Sequence, residues 1–406
     1  MSKRRSKGTR ALLDEMGDLG DLAETVTEIT GRGVKVMSIV LDRIRPDPAQ
    51  PRRVLPEAIR SEFLAGHINA RQALERWEAM ASEEAVRLGR PRPDWHTLLE
   101  RNPDDRAEDT LGMDPPGQPG PEEELLRSIV ATAATIRHGG QVSPITVAEV
   151  DNGSYYRIET GERRYWAHHW LNMWVSNDFD QIQCIVVEAA SPWRQAAENT
   201  SREELSAMAL ARQLATLLLD LYGIQPDYSQ SIPNSWYRQA LDYRVPRGEG
   251  ENLRAALGGV QRSQFNRIQA LLRLPDAVWE LADRYRLEEK RLRYVLKVGD
   301  ETRQEQLARL MIEKDLSAEH VQQLVESSAL ASVLESTGVS KERLAPQATV
   351  SARVANRWPS LVKQFSQADL NVVAEQWVKR ERPEDVRQQV AVLRQLLDMV
   401  EDRVKD

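Results

Sequence analysis

The sequence predicts an α+β domain in the N-terminal half, followed by an all-α region that runs to the C-terminus. Two observations carry this. Residues 34–190 alternate between period-two, β-branched stretches and amphipathic stretches, with turn signals between them. From about residue 192 onward no stretch reads as a strand, and helix follows helix.

Taken in order, residues 1–33 hold the basic decapeptide MSKRRSKGTR and then an acidic amphipathic stretch, which together read as a flexible tail. VKVMSIVLDRI (34–44) alternates and is rich in β-branched residues, so it predicts a strand. Pro46, Pro48 and Pro51 force the next residues into an extended loop. Residues 57–114 are helical in pattern, with Trp77 and Trp95 as candidate anchors, and DPPGQPGPEEE (114–124) is a linker ending at a helix start. ELLRSIVATAATIRHGG (124–140) is amphipathic and stops at a glycine pair, a C-terminal signal. Asp151-Asn152-Gly153 then separates two alternating runs, as a hairpin turn does. IQCIVVE (182–188) is a further buried strand. Beyond it, PDYSQSIPNS (226–235), VPRGEGEN (245–252) and LAPQATVS (344–351) punctuate the helices. Near the C-terminus Val386, Val390, Leu393, Leu397, Val400 and Val404 are spaced 4-3-4-3-4. That is a heptad seam over a helix at 384–404, open to two readings: a dimer contact, or a helix packed on its own domain.

Composition narrows the class. A chain of 406 residues, 41% hydrophobic and 29% charged, can bury two or three cores. It has no run of about 18 apolar residues, and its basic start lacks the apolar core of a secretory signal. The single cysteine, Cys184, excludes an internal disulfide and a cysteine-rich zinc site. These features fit a cytoplasmic protein with no membrane span. A net charge of −7 argues against nucleic acid as the sole business of the chain, although a DNA-binding domain needs only local positive charge.

ETGERRYWAHHWL (159–171) carries the first chemical signal. A strand leads into Gly161, and a helix leaves with Glu162, Arg163 and Arg164 in its first turn. Helix N-termini favour acids, so two arginines there suit a polyphosphate held in front of them. The competing reading is ion pairing with Glu159 and Glu162 on a solvated surface. AENTSREEL (197–205) places Glu198, Asn199 and Arg202 at a predicted helix start. A carboxylate beside an amide oxygen suits a hard cation shared with phosphates; alternatively Asn199 is only an N-cap. His168 and His169 face about 100° apart on one helix and cannot serve one site.

In this order these blocks resemble the ParB family of DNA-partition proteins. The resemblance rests on QPR at Gln50–Arg52, a GGQVSPITV element at 139–147, GERRYWA at 161–167 and ENTSR at 198–202, and covers roughly 34–56 and 122–326. It implies a ParB/sulfiredoxin-like domain that binds CTP with Mg²⁺. Carried over by position, Arg52, Gly161, Glu162, Arg163, Arg164 and Arg202 would serve the triphosphate, and Gly140, Ser143 and Ile145 the cytosine side. Glu198 and Asn199 would hold the metal and serve a slow CTP hydrolysis. ENLRAALGGVQRSQFNRIQALLRLPDAVWELA (251–282) resembles the family's helix-turn-helix, with Gly258-Gly259 as the turn, Ser263 capping the second helix and Phe265, Ile268 and Leu272 as its buried face. Arg262, Ser263, Gln264 and Arg267 would face DNA. Residues 251–275 hold four arginines against one glutamate, a local balance of +3 in an acidic chain.

The resemblance thus implies a tail (1–33), a nucleotide-binding domain (34–190) with a helical insertion (57–121), a helix-turn-helix domain (191–330) and a helical C-terminal region (331–406). It implies a homodimer on double-stranded DNA, associated with nucleoid or plasmid, that closes as a CTP-dependent clamp, and it admits a ParA-type ATPase as partner. Three departures stand out: the insertion, Ser143 where the family usually has glutamine, and no N-terminal Gly-Leu-Gly motif. Ser143 and the insertion fit the alternative of a helix-turn-helix transcription regulator without nucleotide dependence, and the intact GERR and ENTSR blocks argue against it. An enzyme of sulfiredoxin type would need a reactive cysteine in the phosphate loop, and Cys184 lies in an apolar strand instead.

Overall fold

The computed structural model describes residues 35–101, 118–202 and 205–327, with a few isolated positions beyond them. The tail at 1–33, residues 114–117 of the linker and, apart from positions 390 and 394, the heptad seam at 384–404 lie outside the described residues.

Five strands form one mixed sheet in the order β1-β5-β3-β4-β2. They are β1 (Lys35–Val40), β2 (Ile44–Arg45), β3 (Ile145–Val150), β4 (Tyr155–Thr160) and β5 (Gln181–Val187). The sheet is built around the predicted hairpin. β3 and β4 pair antiparallel, with Val150 opposite Tyr155. Asp151, Asn152 and Gly153 between them all have positive φ, at 49°, 54° and 80°, the conformation that residue trio tolerates. β1 runs antiparallel to β5, β5 parallel to β3, and β2 parallel to β4. The single strand expected over 34–44 is broken after Val40 by a 3₁₀ turn, because Leu41 is drawn into the core and its N–H bonds the Asp180 carbonyl at 2.8 Å.

Helices cover this sheet. α1 (Glu57–Leu64), α2 (Ala70–Arg87) and α3 (Trp95–Glu100) come from the segment read as an insertion; α4 (Pro121–Gly139) and α5 (Glu162–Trp174) follow. α2 opens on a capping box between Asn69 and Gln72. α4 starts at Pro121, three residues earlier than expected, with three glutamates in its first turn, and ends at Gly140 with φ 76°. Leu74, Trp77 and Ala81 of α2 are fully buried in the same core as Ile145, Val147, Ile158 and Trp166. The Trp77 indole donates to the Glu122 carbonyl at 3.2 Å, and Glu84 accepts from the Glu122 and Glu123 N–H groups. The extra helices are therefore part of the core rather than an appendage.

The rest of the described chain is helical: α6 (Pro192–Arg202), α7 (Ala207–Asp220), α8 (Asn234–Arg238), α9 (Gly250–Ala256), α10 (Arg262–Ala270), α11 (Asp276–Arg284), α12 (Glu289–Val295), α13 (Glu301–Glu313) and α14 (Ala318–Glu326). They enclose a second core around the buried α7, including Leu214, Leu218, Tyr237, Phe265, Ile268 and Trp279. The fold is α+β followed by all-α, as the hydrophobic periodicity indicates. Among the described residues no helix is long and apolar enough to cross a membrane.

Replacing Trp77 by alanine removes a fully buried indole and its hydrogen bond. A loss of about 3–5 kcal/mol is expected in denaturant unfolding, with both cores reporting the change if the chain unfolds cooperatively.

Candidate functional site

Three of the four sequence blocks meet at one cleft of about 260 Å³. Arg52 enters from the proline-rich loop, Thr160 and Gly161 from the end of β4, Glu162, Arg163 and Arg164 from the start of α5, and Glu198 and Asn199 from α6. Gly161 is required twice over. Its φ is 95°, and a Cβ there would lie 2.5 Å from a methyl of the buried Ile145. With Arg163 and Arg164 on one helix N-terminus and Arg52 facing them from the loop the cleft is electropositive, and its two carboxylates only partly offset the arginines.

α6 is not where the sequence suggested. It begins at Pro192, with the Ser191 hydroxyl accepting from the Arg194 N–H at 3.3 Å, so Glu198 and Asn199 lie in its second half and Asn199 is not an N-cap. Ser-Pro was the overlooked start signal. What positions α6 is Glu159, which is 2% exposed. Its carboxylate accepts two bonds from the Arg194 guanidinium, both 2.8 Å, and one from the Ser191 N–H at 2.7 Å. Its carbonyl accepts from Gln195 and Gln50. Glu159 is thus spent on α6, and the reading of a solvated Glu159 paired with Arg163 or Arg164 is corrected.

The cytosine-side candidates do not line the cleft. Ile145 is buried beneath Gly161, Gly140 terminates α4, and the Ser143 carbonyl accepts from Gln141 at 3.1 Å. The loop is nonetheless tied to the cleft, because Arg164 donates to the Pro144 carbonyl at 3.2 Å. Arg202 ends α6, and its side chain lies outside the described residues.

Burial pushes the Glu162 carboxyl up to about 7, even though it accepts from the Trp166 indole at 3.1 Å. Burial likewise lowers His168 and His169 to about 4 and raises Cys184 to about 12, so all three are neutral core groups. Among the described residues no group of three or more His, Cys, Asp or Glu could hold a metal alone.

From the cleft a chain of hydrogen bonds leads into the helical region. Asn199 donates to Gln213 of α7 at 3.1 Å, and Gln213 donates to the Ala256 carbonyl, at the end of α9, at 3.2 Å. A Cβ on Gly258 would lie 3.7 Å from the Thr200 methyl. α6 therefore runs beside the turn formed by Gly258 and Gly259, whose φ values are 82° and 76°. These long-range partners were invisible to sequence reading. So was Arg212 of α7, buried, which pairs with Asp283 and donates to the Pro51 carbonyl at 3.3 Å.

Past that turn, α10 begins at Arg262 with Gln261 as N-cap, so Ser263 sits in its first turn and does not cap it. Phe265, Ile268 and Leu272 are buried. Arg262, Ser263 and Gln264 are exposed, and so is Asn266, one turn after Ser263 on the same face. Arg267 lies 3.5 Å from Glu289 of α12, and Gln269 is turned inward to the Ala240 carbonyl at 2.8 Å.

An α+β domain with an electropositive cleft, followed by two helices around a glycine turn, is the architecture of a helix-turn-helix protein with an N-terminal α+β domain. Residues 251–330 match the family profile of the ParB HTH domain. A nucleoid occlusion protein of Bacillus licheniformis is 25% identical over 206 residues, which cover 50% of this chain and 60% of that protein. The similarity to the ParB family is thus shown for residues 251–330, and the chain spans less than two thirds of the length of that relative. Among solved structures it is similar to the C-terminally truncated chromosome-partitioning protein ParB from Caulobacter crescentus. In complex with the centromeric parS site that protein is 16% identical, with 71% of this chain and 98% of that chain covered and a TM-score of 0.29. In complex with CTP-gamma-S the figures are 17%, 69%, 99% and 0.20.

Stability should reflect the raised Glu162 carboxyl. Below about pH 4.5 the acid is protonated folded or unfolded and costs nothing. As pH rises through about 7 the folded chain must hold a buried carboxylate, and stability falls. Melting curves between about pH 5 and pH 8 should show that fall, and Glu162→Gln, which can still accept from Trp166, should flatten it.

Proposed function

We propose that this protein is a DNA-binding partition protein that works as a CTP-dependent clamp on a centromere-like site. The observation that carries the reading is the convergence of Arg52, Gly161–Arg164, Glu198 and Asn199 on one cleft whose last member is hydrogen-bonded toward the helix-turn-helix. Arginine forks and the α5 N-terminus suit a triphosphate. The Glu198 carboxylate and the Asn199 amide oxygen fit a Mg²⁺ ion that takes its remaining ligands from phosphates and water, since Asn199 spends its N–H on Gln213. When bound, the ion neutralises phosphate charge. Glu198 and Asn199 are the residues assigned to slow hydrolysis.

Nucleotide in the cleft would hold α6 through Asn199, and α6 is anchored to the sheet by Glu159 and lies against the glycine turn. Binding shifts the balance of open and closed forms by its difference in affinity for the two, and by no more. Closure would bring two copies together around DNA, with double-stranded DNA and a second copy as partners and a ParA-type ATPase as a candidate third.

Calorimetry with the four nucleoside triphosphates and Mg²⁺ tests the nucleotide half. CTP should bind in preference, and Arg163→Ala should weaken it by about 1.5–3 kcal/mol. No CTP binding, or equal ATP binding, would leave a helix-turn-helix regulator without nucleotide dependence.

Mobility shifts against fragments of the native replicon test the DNA half. Gln264→Ala, at an exposed first-turn position of α10, should cost about 1–3 kcal/mol of discrimination between cognate and unrelated DNA. Undiminished discrimination in both Gln264→Ala and Arg262→Ala would remove α10 from the reading role.

A further inference from the structure

A second cavity, of about 500 Å³, shares no lining residue with the cleft. Its walls come from four places. Arg45, Tyr155 and Arg157 stand on β2 and β4, Phe63 comes from α1, and His169 comes from α5; Tyr228 reaches in from the loop before α8. Partition chemistry uses none of them.

Both arginines are held in the same unusual way. The Arg157 guanidinium lies 3.6 Å from the Tyr228 ring centroid, and that of Arg45 lies 5.5 Å from Tyr155. Stacking orders a guanidinium through its face and leaves its N–H edge for an anion. Neither arginine has an ion pair or hydrogen bond among the described residues, and the buried Arg157 Nε is without a partner. The nearby carboxylate of Asp47 accepts from the Ala49 N–H and Gln195 and is the charge that Arg157 faces, without an ion pair between the two. Asp42, on the rim, is the one acid in the lining. His169 contributes a buried Nε2 that also lacks a partner, on a ring held edge-on to Tyr165 at 4.5 Å. Buried polar atoms left unpaired cost about 1–3 kcal/mol each, and a ligand with an anionic group would satisfy several at once. Phe63 and the tyrosines supply apolar faces for a planar ring.

The geometry points to a binding site for a small aromatic anion, a planar ring bearing a carboxylate or phosphate, at the cavity of Arg45, Arg157, His169 and Tyr228. Such a ligand touches the sheet, the extra helices and the loop leading into the helical region together. It therefore acts as a second effector, independent of the proposed CTP site.

Phenyl phosphate and benzoate are the probes, titrated into the full chain by saturation-transfer NMR, with inorganic phosphate and benzylammonium as comparisons and excess CTP–Mg²⁺ present to occupy the cleft. Saturable binding of at least one aromatic anion is expected, at least tenfold tighter than inorganic phosphate, with none for benzylammonium. Arg157→Gln should weaken it tenfold or more, and the exposed Arg45→Gln, which carries no risk to the core, should weaken it several-fold. Binding that survives both substitutions, or is lost in Arg163→Ala instead, would overturn the site. So would equal binding of benzylammonium. None of these outcomes depends on whether CTP proves to be the ligand of the cleft.

Discussion

The fold around the cleft depends on one buried carboxylate. Glu159 ends β4, and its side chain holds the Arg194 fork and the Ser191 N–H while its carbonyl takes Gln195 and Gln50. It fixes the direction in which α6 leaves the sheet and the height of the loop that carries Arg52. A buried acid survives only when its charge is paired and its lone pairs are filled, and here both conditions are met by groups from the elements that must be aligned. Truncating it would leave the Arg194 guanidinium without its fork, and α6 would lose its reference to β4.

Electrostatics inside the cleft follow from that frame. Arginines at the head of α5 oppose the helix dipole, an arrangement with a cost in an empty site and a gain beside phosphate. The acid beside them, Glu162, is pushed by burial toward its neutral form. The cleft is thus kept net positive by the same desolvation that makes Glu162 expensive as an anion. At this position the neutral carboxyl serves both the stability of the chain and the positive charge of the cleft.

Much of this was legible from local signals. Asp151-Asn152-Gly153 announced the hairpin, the glycine pair after His138 announced the end of α4, and Gly258-Gly259 announced the turn before α10, because each reports a backbone conformation that few residues adopt. Residue types with narrow chemistry, such as adjacent arginines after a strand-ending glycine, pointed to the cleft. What was missed depended on partners far away in the chain. Nothing near Glu159 says that it pairs with Arg194, so a solvated surface looked reasonable, and the Asn199–Gln213–Ala256 connection spans α6, α7 and α9. The 3₁₀ break after Val40 is set by Asp180, on the far side of the domain in sequence. The start of α6 is a different case: Ser191-Pro192 is a local signal, and Glu198-Asn199 within the helix carries a pattern that also suits a helix start.

The segment 57–100 has a consequence for how this chain can vary. Trp77 fills the centre of the core and Glu84 serves the first turn of α4, so its helices are wedged beneath elements that precede and follow it in the chain. Insertions usually tolerate drift in length because they sit on surfaces. This one cannot be trimmed piecemeal: each intermediate deletion would open a void under α4 or strip its opening turn of an acceptor. Shortening the segment therefore requires rebuilding α4 at the same time, so its length is tied to the packing of the core.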